Sequence, residues 1–290
     1  MEHSDYIKDT CARVFDTKRD SVRILHRLMG GRSNFTYVIA VGKKKYTFRI
    51  PGKRAEAFVE RGVEKDHLEL SEPLEINNRT VHFDLESGVK IAEYIEGVPM
   101  DRMHPYDYLC GAADIIKKIH RSGIVSPHDY APFRRLERYE GHLDAFEFTH
   151  DARYKEYKRA LIRERPFLEQ GEKTFVHGDA QLSNFVVAEE KVYLTDWEFA
   201  GQHDPFHDIA CFGNDNFDHA IAILPVYLER TPRKDEYRRL YLWRLYQALM
   251  WHNVALFKGF IGLSEDLAID FSAVAEGYLD LAESLLSRLE

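Results

Sequence analysis

Three polar residues near the middle of the chain have the types and the spacing that chemistry requires. Asp179 lies in the loop 177–184, Asn184 follows it by five positions, and Asp196 comes after the next two apolar segments. Carboxylate and amide oxygens are the hard ligands that Mg²⁺ prefers, and a carboxylate can orient an attacking hydroxyl. The pattern therefore predicts phosphoryl transfer, with Asp179 as the base and Asn184 and Asp196 as magnesium ligands. Taken singly, each of these residues would be read as a turn former or a helix cap.

The elements on either side of this loop support that interpretation. Short apolar segments at 174–176, 185–187 and 192–195 have the composition of strands, and 188–191 has that of a turn. If 185–195 is an antiparallel hairpin, Asn184 and Asp196 stand side by side at its open end. The hairpin would then bring two oxygen ligands together beside Asp179.

The periodicity of the chain changes near residue 97. Residues 35–41 and 45–50 predict one hairpin, 80–83 and 89–94 predict another, and a charged helix is expected at 55–70. Beyond Gly97, apolar residues recur at helical spacing in three stripes, at 109–119, 243–257 and 271–285. We therefore expect an α+β protein with a small antiparallel-sheet lobe at 1–97 and a larger helical lobe at 98–290.

The first of these lobes holds candidate nucleotide ligands. The turn 30–34 brings small residues together, so that the backbone around Gly31, Ser33 and Asn34 can approach phosphate oxygens. Arg49, near the end of the next strand, can clamp two phosphates with its planar fork, and Glu64 on the following helix can hold it.

The segment 93–97 stands where strand periodicity gives way to helical periodicity. Its backbone at Glu93, Tyr94 and Ile95 can act as a hinge that hydrogen-bonds adenine. With the loop 177–184, this segment completes a set of ATP-binding and catalytic candidates in both lobes.

Composition excludes several other classes. The chain has 290 residues, 44% hydrophobic and 30% charged, with a formal net charge of −8, which is typical of a folded globular protein with no electrostatic reason to bind nucleic acid or anionic lipid. Its three widely spaced cysteines predict reduced thiols, and its polar start and lack of a long apolar stretch predict a cytoplasmic protein that does not enter membranes.

Five segments together resemble the choline/ethanolamine kinase family, within the aminoglycoside-phosphotransferase-like branch of the protein-kinase-like fold. The resemblance runs from about residue 22 to residue 260 and rests on the segments 30–37, 48–53, 93–97, 177–184 and 196–199. It implies a two-lobed kinase fold that uses ATP and Mg²⁺. The implied reaction is phosphorylation of the hydroxyl of a small cationic amino alcohol, with choline or ethanolamine as the favoured acceptor.

The resemblance also implies roles for individual residues. It places Gln181 in the catalytic loop and Glu198 and Phe199 close to metal or substrate. Trp251 resembles the first tryptophan of an aromatic box that holds a quaternary ammonium by cation–π contact. The position three residues further on, where the family has a second aromatic residue, is Val254 here, so a smaller amine or a different alcohol stays open.

Other functions also stay open at this stage. A thiamine or aminoglycoside kinase of the same fold is the nearest alternative, and a pseudokinase that only binds nucleotide is a more distant one. His203, His207 and Asp208 suggest a metallohydrolase, although Pro205 argues against a regular helix that presents both histidines. The sequence does not determine the choice of ATP or GTP, the oligomeric state, or the roles of 1–21 and 260–290.

Overall fold

A computed structural model of the chain describes residues 3–28 and 34–289, and these divide into two compact units. The first unit comprises the residues up to Val98 together with Val186–Glu198. The second comprises Pro99–Phe185 together with the residues from Phe199 onward. The chain therefore contributes two separate segments to each unit.

Eleven α-helices are present in the described residues. They are α1 Ser4–Val14, α2 Arg61–Ser71, α3 Leu109–His120, α4 Pro132–Gly141, α5 Ala152–Arg163, α6 Arg165–Leu168, α7 Phe206–Phe212, α8 Phe217–Leu228, α9 Lys234–Phe260, α10 Leu263–Leu267 and α11 Phe271–Ser287. The strands are β1 Val22–Leu28, β2 Asn34–Val41, β3 Lys44–Pro51, β4 Thr80–Phe83, β5 Lys90–Glu93, β6 Val98–Pro99, β7 Thr174–Val176, β8 Phe185–Ala188, β9 Lys191–Leu194 and β10 Gly201–His203.

The first unit is built on a five-stranded antiparallel sheet in the order β1-β2-β3-β5-β4. Alternate residues of β2 and β3, such as Tyr37, Ile39 and Phe48, enter a core shared with Ile7 and Cys11 of α1. This packing explains why the amino-terminal segment, which carries no motif, is ordered as a helix: its apolar side closes one face of the sheet.

The second unit is organised around α9. This helix of 27 residues packs against α4, α5, α7, α10 and α11, and α3 packs against α8. Nearly all of α9 from Leu242 to Val254 is buried, as expected of a central helix surrounded by others. A two-stranded sheet of β7 and β10 crosses the same unit.

Most predicted elements are confirmed, including both hairpins of the first unit, the strands β7, β8 and β9, and the three helical stripes. The helix expected at 55–70 is shorter than predicted. Ala55–Ala57 form a 3₁₀ turn, Glu60 is extended, and the α-helix begins at Arg61. The segment 186–198, expected in the helical lobe, belongs to the first unit, and the functional division at residue 97 stays a prediction.

Two further expectations concern chemistry. The three cysteines are free thiols, two buried and one exposed, as predicted. Among the residues that the structure describes, no helix combines the length and the apolar composition needed to cross a bilayer.

Candidate active site

A buried cluster of ions lies in the first unit beside the sheet. The Nη2 atom of Arg49 donates to Oε2 of Glu64 at 2.7 Å, which confirms the predicted pair. Lys90 donates to the other oxygen, Oε1, at 3.1 Å. Arg49 and Lys90 are directly opposite each other on β3 and β5, so two neighbouring cations share one carboxylate.

The same guanidinium reaches the segment that follows β9. Its Nη1 atom lies 3.2 Å from Oδ1 of Asp196 and 3.3 Å from Oε2 of Glu198. Ligand oxygens of Glu64, Asp196 and Glu198 all lie within 4.8 Å of one another. Three carboxylates thus surround two cations, and the arrangement favours a further positive charge.

The pKa shifts of these carboxyls follow from burial and from the neighbouring charges. Burial, and then the neighbouring Asp196, raise the pKa of Glu198 to about 8. Burial also works against ionisation of Glu64, but Lys90 and Arg49 outweigh it and hold the pKa of this carboxyl below its usual value. Glu64 is therefore the firmly ionised member, whereas Glu198 gains or loses a proton near neutral pH.

A cavity of about 380 Å³ opens in the first unit, close to the predicted hinge. Its lining comprises Leu25, His26, Val38, Lys45, Tyr94, Glu96, Gly97 and Val98. Tyr94 lines this cavity and Glu93 and Ile95 do not; the backbone N–H of Tyr94 donates to the carbonyl oxygen of Lys45 at 3.1 Å, so its binding to adenine stays a prediction. Glu93 instead pairs with Arg79 at 2.8 Å.

The turn predicted to hold phosphate is placed only in part. Gly31 and Ser33 lie outside the described residues. Asn34 opens β2, and its Nδ2 atom is 3.5 Å from Oε2 of Glu198, so this side chain extends the ion cluster.

The loop 177–184 lies in the second unit and brings Asp179, Gln181 and Asn184 together. Oδ2 of Asp179 accepts hydrogen bonds from Nε2 of Gln181 at 2.9 Å and from Nδ2 of Asn184 at 3.0 Å. Asn184 Nδ2 also donates to the backbone oxygen of Asp179 at 2.8 Å. Because its nitrogen faces Asp179, the oxygen of the Asn184 amide is the atom that can ligate a cation.

Asp208 on α7 fixes the start of this loop. Its carboxylate accepts the backbone N–H groups of His177 and Gly178, each at 2.8 Å, and contacts His120 Nε2 at 3.0 Å. Burial opposes ionisation of Asp208, but the hydrogen bond from His120 and nearby imidazoles keep its pKa below the usual value. Asp208 therefore has a structural role, which is to hold the start of the loop.

Glycine is required at position 178. Its φ of 79° is unfavourable for other residues, and a Cβ atom there would overlap the carbonyl oxygen of Phe199. The loop therefore runs closer to the backbone after β9 than any side chain would allow.

Two of the predicted acceptor ligands meet in the second unit. The rings of Phe199 and Trp251 form a T-shaped pair with centroids 6.0 Å apart. Val254, one helical turn from Trp251, is buried, so the position of the second box residue belongs to the core. Gln181 stands beside Asp179 as described, and Glu198, the fourth predicted substrate ligand, lies with Arg49 in the first unit.

In the described part of the chain, His203 and His207 belong to no cluster with metal-ligand geometry. His203 ends β10 and His207 lies in α7, on either side of Pro205, and both are buried among aromatic rings. Burial lowers the pKa of His207 to about 4, and its Nε2 atom contacts the carbonyl oxygen of Gly178 at 3.3 Å. Within residues 3–28 and 34–289, the only acid, cysteine or histidine cluster with ligand geometry is Glu64, Asp196 and Glu198.

Sequence reasoning missed two participants. Lys90 could have been predicted because it lies directly opposite Arg49 on the neighbouring strand. Two cations side by side on one face of a sheet repel each other unless an acid pairs with both. Asn214, whose Nδ2 atom donates to Gln181 Oε1 at 2.9 Å, carried no signal because it lies in a turn between two helices. The meeting of Asn184 with Asp196 joins residues of different units and stays a prediction.

Comparison with known proteins gives a family and a fold. A model of the phosphotransferase enzyme family, APH, matches residues 25–243. The choline kinase LicA from Streptococcus pneumoniae superposes with a TM-score of 0.80 at 23% identity, covering 98% of each chain. A choline/ethanolamine kinase family protein from Mesorhizobium loti is 25% identical with a TM-score of 0.73, covering 90% of this chain and 87% of its own.

A structure of LicA in complex with AMP gives a TM-score of 0.80 at 21% identity and covers both chains fully. These superpositions confirm the predicted two-lobed kinase-like α+β fold. The predicted phosphotransferase class is likewise confirmed.

Proposed function

This chain belongs to the APH phosphotransferase enzyme family, and we propose that it transfers the γ-phosphoryl group of ATP to the hydroxyl of a small amino alcohol, choline or ethanolamine. The observation that carries this proposal is the geometry at Asp179. Two amide nitrogens, from Gln181 and Asn184, hold one carboxylate oxygen within 3.0 Å, so the base has a defined orientation before substrate arrives.

The proposal gives each half of the chemistry to residues of this chain. Asp179 accepts or orients the acceptor's hydroxyl proton. Arg49, held by Glu64, presents its fork to phosphate oxygens, and no covalent intermediate with the protein forms. In this division, residues 1–97 serve the nucleotide and 98–290 serve the acceptor.

The donor set fits magnesium. The amide oxygen of Asn184 and the carboxylate of Asp196 are hard ligands of the kind that Mg²⁺ takes together with nucleotide phosphates. Ligand oxygens of Glu198 and Asp196 lie within 4.8 Å of each other. Burial and Asp196 raise the pKa of Glu198, and a cation here would favour its ionised form. A bound Mg²⁺ would neutralise charge on the transferring phosphoryl group.

The nucleotide assignment is supported by the cavity of about 380 Å³ in the first unit, beside Tyr94. The AMP complex of a protein with the same fold supports it as well. Gly31 and Ser33 remain proposed phosphate ligands, Asn34 joins them, and Glu93 and Ile95 remain proposed hinge residues.

The acceptor class is supported by the paired rings of Phe199 and Trp251, since aromatic faces attract ammonium groups. It is also supported by the relative that is 25% identical and is described as a choline/ethanolamine kinase family protein. Gln181 and Glu198 complete the proposed acceptor set.

The test is ADP release from ATP and Mg²⁺ with choline, ethanolamine, thiamine or kanamycin, and Asp179→Asn serves as the blank. We expect release with choline or ethanolamine and none in the blank. Release with thiamine or kanamycin alone would overturn the acceptor class. If none of the four acceptors supports ADP release although calorimetry shows that nucleotide binds, the proposal that this chain catalyses phosphoryl transfer would be overturned.

Replacing Trp251 with alanine should raise the KM of the acceptor roughly 2- to 30-fold, because a cation–π contact is worth on the order of 0.5–2 kcal/mol. The KM of ATP should stay unchanged. Phe260→Ala is the matched control, since it removes an exposed aromatic ring from the same helix. Equal changes in both KM values would contradict the role of Trp251.

A further inference from the structure

We propose that Asn214 is a positioning residue of the phosphoryl transfer, which acts through Gln181 on the carboxylate of Asp179. This inference rests on the proposed function. Asn214 lies in the turn after α7, 33 positions after Gln181, and no motif of the sequence includes it.

A continuous line of hydrogen bonds joins the three side chains within the second unit. Asn214 Nδ2 donates to Oε1 of Gln181 at 2.9 Å, and Gln181 Nε2 donates to Oδ2 of Asp179, also at 2.9 Å. Each link has ordinary length for an N–H···O bond. The line therefore transmits the position of the turn to one oxygen of the base.

The chemistry of the groups gives this line a direction. An ionised carboxylate only accepts, so Gln181 must turn its nitrogen towards Asp179 and its oxygen away. That oxygen then needs a donor, and Asn214 supplies one. Either amide turned over would place oxygen against oxygen, so Asn214 selects the orientation of Gln181 that serves the base.

The turn that carries Asn214 is itself clamped. The buried Arg244 of α9 donates from Nη2 to the backbone oxygen of Asn214 at 2.9 Å. Its Nη1 atom contacts Gln247 Oε1 at 3.3 Å, and Gln247 donates to the backbone oxygen of His207 at 3.0 Å. A cation at the carboxyl end of α7 also complements the helix dipole. The turn at which this relay of hydrogen bonds from Asn214 to Asp179 begins is thus held in place.

A second observation points to a role beyond folding. The Oδ1 atom of Asn214 is buried and has no hydrogen-bond partner in the described part of the chain. Burying an amide oxygen without a partner costs free energy, and a hydrophobic residue would avoid that cost. The functional part of this side chain is therefore its amide nitrogen, which donates to Gln181.

The test compares Asn214→Ala, Gln181→Ala and the double variant with the wild type, using the best acceptor of the panel. We expect Asn214→Ala to lower kcat about tenfold while the KM of ATP stays unchanged. In the Gln181→Ala background, Asn214→Ala should have no further effect, because the relay is already broken. Additive losses in the double variant would overturn the inference.

Asn216→Ala is the matched control. Asn216 lies two residues further on and caps α8 by accepting from Asp218 N, so its removal costs stability at the same turn without touching Gln181. We expect a lower Tm and an unchanged kcat. An equal loss of kcat in this control would show that Asn214 acts only through the stability of the turn.

A readout without turnover separates this inference from the proposed function. The side-chain amide signals of Gln181 in a ¹H–¹⁵N spectrum are identified by their loss in Gln181→Ala. They should shift in Asn214→Ala and stay in place in Asn216→Ala. Unchanged signals in Asn214→Ala would overturn the relay, even if no acceptor of the panel supports ADP release.

Discussion

The two units hold their buried carboxylates by different means. In the first unit, ion pairs hold the acids: Arg49 contacts Glu64, Asp196 and Glu198, and Lys90 contacts Glu64. In the second unit, donors with fixed direction hold them: backbone N–H groups and His120 on Asp208, and side-chain amides on Asp179. Charge attraction tolerates exchange of one cation for another, whereas directional donors fix an orientation.

This difference suits the two tasks proposed for the units. A region that handles phosphate and metal must exchange one charged partner for another, and carboxylates that share one guanidinium can do that. A base must keep one orientation. The contrast predicts that neutralising an acid is costly in the second unit, whereas neutralising Glu198 in the first unit changes stability little.

The largest effect is expected from Asp208→Asn. An amide oxygen cannot replace a carboxylate that accepts two backbone N–H groups, and charge-assisted hydrogen bonds are worth about 1.5–3 kcal/mol each. The free energy of unfolding should fall by about 4 kcal/mol in urea titrations at pH 7. A loss below about 1 kcal/mol would show that Asp208 does not hold the loop.

The next effect concerns acid. Burial lowers the pKa of His207 to about 4, against 6.5 for an unperturbed imidazole. Between these two pH values, the imidazole binds a proton in the unfolded chain but not in the folded chain. Its contribution to the free energy of unfolding is therefore complete above pH 6.5 and decreases as the pH falls towards 4. The loss is of the order of 3 kcal/mol, taking 1.36 kcal/mol for each pKa unit.

Unfolding free energies at pH 7 and pH 4.5 for the wild type and His207→Gln isolate this contribution. The variant should lose less stability on acidification, even though it is less stable at pH 7. Equal pH slopes in the two proteins would mean that His207 does not titrate as a buried base.

A smaller effect is expected from Arg49→Lys. A lysine presents one point charge in place of a planar fork and cannot serve Glu64 and a phosphate at once. The KM of ATP should rise about tenfold, equivalent to about 1.4 kcal/mol, with an unchanged KM of the acceptor. A rise confined to the acceptor would break the assignment of tasks to the two units.

The smallest effect is expected from Glu198→Gln at pH 5. With a pKa raised to about 8, Glu198 is already protonated in the folded state, and the substitution should change the unfolding free energy by less than about 0.5 kcal/mol. As the pH rises from 4.5 towards 8, the wild type should lose stability relative to the variant, because only the wild type has this carboxyl to ionise. The two units thus respond to acid with opposite sign.

Several parts of the site were accessible from sequence because local pattern determines them. The spacing of the apolar segments predicted the hairpin β8–β9, and the strand-then-helix order predicted the pair of Arg49 and Glu64. The structure bears these out because each depends on neighbours along one or two elements.

The remainder depends on contacts between distant segments. Arg244 and Gln247 lie in a helix whose apolar stripe predicts core, and only the packing of α7 against α9 reveals that they fix a turn. The helix boundary at Arg61 was missed because the 3₁₀ turn before it has helical composition. Such features have no periodic signature.

The excursion of Val186–Glu198 into the first unit has a consequence for synthesis on the ribosome. When residue 98 has emerged, the sheet strands exist, but Asp196, Glu198 and the buried Trp197 are still to be translated. Roughly a hundred further residues must leave the exit tunnel before the first unit has all its parts, so it completes late although its sheet is encoded first. In a nascent chain stalled after residue 98, the first unit should remain sensitive to protease. In a chain stalled well beyond residue 198, the first unit should resist it.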